Sequence, residues 1–522
     1  MLSARAFARG ASSRERARNT PASSSKDNGY HLCLQKIHTI NSPQARLFLH
    51  GALWRGGYCA ILYGMEKKWQ LWAGIASAAL VSIIFIWRSL TRNASVLGLI
   101  AGGIMAALFA ALMVALCARP FAALKGGYLS PDELLGARSL RRSRRHPWGE
   151  IILFVLMTRI AALLIGYLLY RYGRAYPGGM WNTLASVWEH SDSPSYLGIA
   201  ERWYVTEGDP RFHIVFFPFY PCAIWLFNLI FNNSLISAMV VSAAASAVGA
   251  VFVYEAAALD VERDAALRAV KYMLVFPAAF FLTAPMSEAL FIMLSAAAIY
   301  FTRKKQYLWA CVFGALSGFT RSVGGLIIVF IAWEIAEDFI TAYRMGTIKE
   351  ERRALILNAL CLMIVPLGLI GYLYINYAVT GNALTFMKYQ KEHWSQGFGL
   401  FFETAATQAD AAARAAQRGN MGELWGLWIP NLTASIAALI MMLKGAKKLR
   451  PAYTAYFLAY FAVACGATWL LSSPRYLTAC IPLMLAAANA SGERRTDIAM
   501  TAACTMMQAA YLYMYVNGYY VY

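Results

Sequence analysis

The chain has 522 residues, of which 59% are hydrophobic and only 14% are charged. This leaves too little polar surface to cover a soluble globule, so the composition is that of an integral membrane protein. The net charge of +20 comes from short basic clusters and not from a basic stripe interleaved with stacking aromatic residues, which argues against a nucleic-acid-binding protein.

Residues 1–64 differ from the rest of the chain, because they are rich in Arg and Ser and carry only Glu15 and Asp27 as acids. They lack the continuous apolar core of a signal peptide. Three interpretations are open: a disordered basic tail, an organelle transit-like peptide, or an extension upstream of a true start at Met65. We favour the third, because MEKKWQLW, which begins at Met65, resembles the natural start of a chain with a cytoplasmic N-terminus.

Apolar runs follow along the chain from residue 69, and a bilayer crossing needs about 20 helical residues. Runs near that length lie at residues 69–87, 96–117, 151–170, 214–231, 235–259, 355–379, 452–471 and 498–516. Shorter or interrupted runs lie at residues 270–301, 307–336, 427–443 and 476–490. We therefore predict an all-α polytopic membrane protein with roughly 11–14 transmembrane helices, and short interfacial helices in its extracytoplasmic loops.

The placement of basic residues predicts the domain organisation and the topology. After the extension 1–64 come two transmembrane helices in 65–118, a basic cytoplasmic loop in 119–150 and the main membrane domain in 151–522. Short basic clusters, typical of cytoplasmic loops, lie at residues 138–146, 303–305, 344–353, 444–450 and 494–495. This pattern places three loops on the extracytoplasmic side, at residues 171–213, 380–424 and 472–475.

One segment conflicts with a simple count of crossings. Four full crossings between residues 214 and 301 would place the basic cluster 303–305 outside, against the charge rule. Prolines interrupt helices, and such breaks persist in a membrane protein only where they line a protein cavity. We therefore predict that the segment 277–285, which has a proline at each end, is broken or re-entrant.

The first predicted external loop contains Asp192 in the sequence WEHSDSPSYLGIA. Pro194, Tyr196 and the apolar pair that follows predict a short amphipathic helix on the bilayer surface, with Asp192 at its N-cap. A carboxylate in such a loop is most often only a solvated surface charge. An aqueous carboxylate held against a membrane face is also what chemistry on a lipid-borne substrate requires, and the two roles are compatible.

Three further charges, Glu288, Arg321 and Arg475, lie in apolar sequence. Ionisable groups in such a setting usually face a cavity or a partner. In a structural interpretation Glu288 and Arg321 pair with each other and Arg475 snorkels to the interface. In a functional one the guanidinium groups bind a phosphate. The cysteines lie mostly in apolar runs and show no CxxC spacing, so neither a disulfide framework nor a metal site is predicted.

Residues 277–325 contain PAAFFL at 277–282, SEALF at 287–291, and Thr320, Arg321 and Gly324. In this order these motifs resemble the PIG-V family of polyprenyl-phosphate-mannose-dependent mannosyltransferases. Matching elements elsewhere are Asp192, Tyr196, Ile199 and Ala200, FFPFYP at 216–221 with Tyr220, Gln390 and Trp394, and Pro474, Arg475 and Tyr476. The resemblance covers about residues 151–522. Ser191 departs from it, since the family usually has Trp directly before the loop Asp, and the two N-terminal crossings have no recognised counterpart.

The resemblance implies a GT-C type glycosyltransferase that transfers mannose or another hexose from a polyprenyl-phosphate donor to a glycolipid or protein acceptor. It implies neither metal nor cofactor, an extracytoplasmic site, and no nucleic-acid partner; we expect a bacterial plasma membrane, with the endoplasmic reticulum as the alternative. We assign Asp192 as general base of an inverting displacement, and Arg321 and Arg475 to the donor phosphate. The expected substrate-binding residues are Tyr196, Tyr220, Glu288, Gln390, Trp394 and Tyr476.

Two other functions remain open. Broken helices and buried charges are equally typical of a lipid or sugar transporter or flippase, although no inverted repeat is evident. Among enzymes, an oligosaccharide ligase or polymerase would differ in its donor, which is a lipid-diphosphate glycan.

Overall fold

The computed structural model describes residues 69–70, 72–91, 95–118, 146–468 and 472–521. The predictions for residues 1–64 and for most of the basic loop 119–150 lie outside these described residues. Within them the chain consists of α-helices and short turns without a named β-strand, and an isolated antiparallel bridge joins Phe398 to Ala467. The predicted all-α class is confirmed.

The helices are numbered here in chain order. Those of the amino-terminal half are α1 (Trp72–Thr91), α2 (Val96–Cys117), α3 (Trp148–Gly173), α4 (Met180–Trp188), α5 (Ser193–Arg202), α6 (Phe219–Phe231), α7 (Ser234–Ala258), α8 (Arg263–Val275), α9 (Glu288–Arg303) and α10 (Tyr307–Thr320). Those of the carboxyl-terminal half are α11 (Ile328–Met345), α12 (Ile348–Cys361), α13 (Pro366–Thr380), α14 (Thr385–Trp394), α15 (Phe401–Gln417), α16 (Ile429–Gly445), α17 (Pro451–Ala464), α18 (Ser473–Thr478), α19 (Ile481–Ala490) and α20 (Arg494–Val516). Short 3₁₀ segments lie at Asp209–Val215, Ala279–Leu282 and Ser322–Ile327.

Among the described residues, six helices are long and apolar enough to cross a membrane. They are α1, α2, α3, α7, the continuous Ile348–Thr380 that joins α12 to α13, and Met421–Lys448 around α16. A seventh is counted if Asp209–Val215 and α6, bent by 112°, form one span. This count is below the predicted 11–14, because hydropathy does not reveal the short breaks that divide apolar runs into pieces such as α10 and α19.

The helices α7 and α9 form the centre of the molecule, and both are rich in small residues. A Cβ atom on Gly249 of α7 would lie 3.1 Å from the Cα atom of Met293 on α9. Small side chains allow two backbones to approach this closely, which is how helices pack without a hydrophobic driving force in lipid. The close packing fixes α9, which carries Glu288 at one end and Arg303 at the other.

The predicted break between residues 277 and 285 is present. Helix α8 ends at Val275, α9 begins at Glu288, and the backbone between them is buried. Side chains of neighbouring helices donate hydrogen bonds to backbone carbonyls in the break: Arg159 on α3 donates to Ala279 at 2.9 Å. From α7, Ser242 donates to Ala284 at 3.0 Å. Irregular backbone is therefore tolerated here because protein groups satisfy it.

Charged residues meet at the end of α9 that carries Arg303. Its guanidinium contacts Asp260 at 2.6 Å and Glu334 at 2.7 Å, and Arg450 contacts Glu334 at 2.8 Å. The predicted cytoplasmic clusters 303–305 and 444–450 thus come together. Glu288 begins α9 15 residues before Arg303, so the two ends of α9 are roughly 22 Å apart at 1.5 Å per residue.

Candidate active site

Four charged residues meet at the other end of the bundle, and each stands where a helix begins or ends. Asp192 precedes α5, Glu288 begins α9, Arg321 follows α10, and Arg475 lies in the short helix α18. Helix ends leave backbone groups unpaired and let the chain change direction. These breaks therefore direct side chains from distant parts of the sequence into one place.

The four side chains form a continuous chain of ion pairs. One oxygen of Glu288, Oε1, accepts hydrogen bonds from Nη1 of Arg321 and Nε of Arg475. Nη2 of Arg475 lies 2.6 Å from Oδ2 of Asp192. The order is Arg321, Glu288, Arg475, Asp192, so two positive and two negative charges balance.

Burial separates one member of this cluster from the others. The side chains of Glu288, Arg475 and Arg321 are only 2%, 5% and 8% exposed, whereas that of Asp192 is 28% exposed. Buried charges require partners because their desolvation is costly, so the predicted pairing of Glu288 with Arg321 occurs. Arg475 does not snorkel but joins the same pair, and Asp192 is the more exposed of the two carboxylates.

Asp192 occupies the N-cap position of α5, but its side chain makes no capping hydrogen bond. Its carboxylate is instead directed to Arg475. The preceding residue, Ser191, has φ of 59°, a conformation that residues other than glycine seldom adopt. Helix α5 forms as predicted, and its apolar side packs into the protein through the buried residues Tyr196, Leu197, Ile199 and Ala200.

Tyr196 and Tyr476 lie beside the arginines. The hydroxyls of Tyr196 and Ser287 are 2.9 Å apart, and Arg321 donates to the Ser287 hydroxyl at 3.0 Å. The guanidinium of Arg321 also lies over the ring of Tyr476, 4.8 Å from its centre, which is a cation–π geometry. Arg321 is thus held from three sides.

Tyr220 is one step further from the ion pairs. Its hydroxyl is 2.8 Å from that of Ser242, and its ring meets the ring of Tyr196 edge-on at 5.2 Å. The structure therefore places Tyr220 as a support for Tyr196 and not in contact with the four charges.

Gln390 and Trp394 both lie on α14, and of the two Trp394 has aromatic contacts that lead towards the site. Gln390 forms a side-chain hydrogen bond with Gln396. The ring of Trp394 is 5.9 Å from that of Phe216, which is 5.1 Å from that of Tyr196. Trp394 reaches the cluster through these two aromatic rings.

His190 and Tyr515 also border the site, although no sequence motif gives either of them a role. Their rings stack at 3.9 Å, and the ring of Trp188 is 6.0 Å from that of Tyr515. Burial lowers the pKa of His190 below its ordinary value of 6.5, and Arg174 adds to this effect. In the sequence, the position of His190 two residues before Asp192 could have indicated that it lies near the site.

Among the described residues, no group of three or more His, Cys, Asp or Glu side chains is arranged to hold a metal ion.

Comparison with known proteins gives a distant likeness. No protein-family model matches the chain, and no curated protein matches it. It is similar to the structure of ArnT from Cupriavidus metallidurans bound to undecaprenyl phosphate, with a TM-score of 0.41 and 13% sequence identity. The match covers 67% of this chain and 62% of the length of that protein. The resemblance to the PIG-V family therefore rests on the sequence motifs alone.

Proposed function

We propose that the protein is a membrane glycosyltransferase that moves a mannosyl or other hexosyl group from a polyprenyl-phosphate donor to an acceptor hydroxyl. The observation that carries this proposal is the arginine pair on one buried carboxylate, joined through Arg475 to the more exposed Asp192. The PIG-V-like motifs supply the same residues. The acceptor is a glycolipid or protein, and the site faces the extracytoplasmic side of a bacterial plasma membrane.

The arginines suit the donor. A polyprenyl-phosphate sugar is a phosphodiester with one negative charge, and its phosphate gains a second when the bond to the sugar breaks. Charge stabilisation of the leaving group is therefore the main requirement of the step. A guanidinium has five N–H donors, more than Arg321 and Arg475 use in their contacts with Ser287, Glu288 and Asp192.

Asp192 suits the acceptor. As the acceptor oxygen bonds to the anomeric carbon, the carboxylate takes the hydroxyl proton, and the bond from that carbon to the phosphate oxygen breaks. The products are a glycoside of inverted configuration and a polyprenyl phosphate. Arg475 contacts Asp192, the proposed base, and also shares Glu288 with Arg321. The base and the two phosphate-binding arginines are therefore held in a fixed relative orientation, which a bimolecular displacement needs.

The test is transfer of labelled mannose from polyprenyl-phosphate mannose by membranes that contain the protein. We expect Asp192→Asn to lower the rate by about 10²- to 10⁴-fold, the range of a lost general base. Expression and the apparent Tm should stay close to wild type. The matched control is Glu207→Gln, an exposed acid in the same loop, which should retain full activity.

Native-rate transfer by Asp192→Asn would refute the assignment of the base. Movement of the intact lipid across vesicles without transfer would instead support a flippase. Activity with a polyprenyl-diphosphate glycan, and none with the monophosphate, would support an oligosaccharide ligase. The acceptor is accessible by lipid and glycan profiling of a deletion strain, where we expect a product that is one hexose short.

A further inference from the structure

Several buried polar atoms beside the candidate active site have no hydrogen-bond partner among the described residues. They include the hydroxyls of Tyr511 and Tyr515, the indole Nε1 of Trp188 and the second oxygen of Glu288, Oε2. Most buried polar groups in proteins are paired, and an unpaired one costs free energy. A group of them in one region therefore points to a polar ligand.

The two tyrosines lie on one face of the final helix. Tyr511 and Tyr515 are four residues apart on α20, a spacing that stacks side chains along the same side. Their rings pack against the broken segment: Tyr511 lies 6.0 Å from Phe280, and Tyr515 lies 5.4 Å from Phe281. The guanidinium of Arg475 is 5.3 Å from the ring centre of Phe281. This face of α20 therefore adjoins the proposed phosphate site.

The surroundings distinguish these tyrosines from ordinary packing residues. Tyr515 lies between Phe281, which Arg475 also contacts, and His190, whose ring stacks on that of Tyr515 at 3.9 Å. Phenylalanine fills such space without a polar atom, as Phe280 does in the same cluster. The unpaired hydroxyls of Tyr511 and Tyr515 are therefore available to a polar ligand.

We propose that Tyr511, Tyr515 and Trp188 form the sugar subsite, which binds the ring hydroxyls of the hexose that the donor carries. This inference rests on the proposed function. A hexose has hydroxyl groups around its edge, which can form hydrogen bonds with the two tyrosine hydroxyls and the indole N–H. Its faces carry C–H groups, which can pack against the aromatic rings. The anomeric carbon of the donor is bonded to the phosphate oxygen, so a phosphate on Arg475 places the sugar beside these residues.

The test compares two lipids on the purified full-length protein in nanodiscs, undecaprenyl phosphate and undecaprenyl-phosphate mannose. We expect Tyr511→Phe and Tyr515→Phe each to weaken binding of the mannose lipid about tenfold, the effect of one lost hydrogen bond. The affinity for undecaprenyl phosphate should be unchanged. The control is Tyr513→Phe, since Tyr513 is 49% exposed on the same helix and should alter neither affinity.

Equal losses for both lipids, or no loss for either, would overturn the sugar subsite while leaving the phosphate site intact. If a tyrosine variant does not fold, the wild-type protein still decides the matter. The subsite requires it to bind undecaprenyl-phosphate mannose more tightly than undecaprenyl methyl phosphate, a phosphodiester of the same charge that lacks the sugar. A wild-type protein that binds neither lipid contradicts the proposed function itself.

Discussion

Glu288 is the residue that holds the two arginines of the site together. It is 1% exposed and is shared by two buried arginines, so it supplies the negative charge that makes their burial tolerable. The second carboxylate, Asp192, is more exposed and contacts only one of them. The two acids thus have different surroundings: Glu288 is enclosed with both arginines, and Asp192 is the partly exposed acid to which the proposed function assigns the acceptor.

Glu288→Gln tests this division. The variant keeps the shape of the side chain but leaves an uncompensated positive charge, so we expect a loss of about 3–5 kcal/mol in the free energy of unfolding. An anionic ligand then replaces the missing charge, and added undecaprenyl phosphate should raise the apparent Tm of the variant more than that of the wild type. Thermal unfolding in nanodiscs measures both effects.

Glu392→Gln provides the comparison, because Glu392 is an exposed acid paired with Lys388 at 3.8 Å. Exposed pairs contribute about 0–1 kcal/mol, so this variant should resemble the wild type. An unchanged Tm for Glu288→Gln, with or without the lipid, would show that the arginines do not depend on Glu288.

Breaks between helices determine where the charged residues of the site lie. The segment between α8 and α9 carries Phe281 and Ser287 to the arginines. Its backbone is held by side chains of α3 and α7, so neighbouring helices substitute for the hydrogen bonds that a continuous helix would make. The orientation of Glu288 therefore depends on contacts that lie outside the site.

Ser242→Ala removes one of these contacts. The Ser242 hydroxyl donates to the carbonyl of Ala284 and pairs with Tyr220. Each of these groups would lose one of its hydrogen bonds, because Ala284 also accepts from the backbone N–H of Met286 and Tyr220 also donates to the carbonyl of Ala238. We expect a loss of about 0.5–1.5 kcal/mol in the free energy of unfolding and a smaller loss of transfer activity than for Asp192→Asn. The control is Thr433→Ala, where an exposed hydroxyl bonds only to its own helix; a result equal to this control would argue against a supporting role for Ser242.

Across the whole molecule, sequence patterns predicted the helical class and the charged members of the site. Glu288, Arg321 and Arg475 were identified because charges in apolar sequence are costly and need a reason to be there. Their pairing order was not predictable, since it depends on how helices far apart in sequence meet. Tyr511 and Tyr515 were missed for a related reason: a tyrosine in an apolar helix is usually a packing residue, and only tertiary contacts reveal an unpaired hydroxyl.

The two ends of α9 carry separate groups of buried ion pairs, and we assign the proposed chemistry to one of them only. Glu334 is fully buried at the Arg303 end and contacts Arg303 and Arg450, which links α9 and α11 to the start of α17. Glu334→Gln should therefore cost about 3–5 kcal/mol in the free energy of unfolding, a loss like that of Glu288→Gln. The site lies roughly 22 Å away along the helix. Below its Tm, Glu334→Gln should therefore bind undecaprenyl phosphate as tightly as the wild type, and the lipid should raise the Tm of the variant no more than that of the wild type. Thermal unfolding and binding measured on both variants compare the two ends directly, and a lipid-specific rescue of Glu334→Gln would mean that the ends of α9 are coupled.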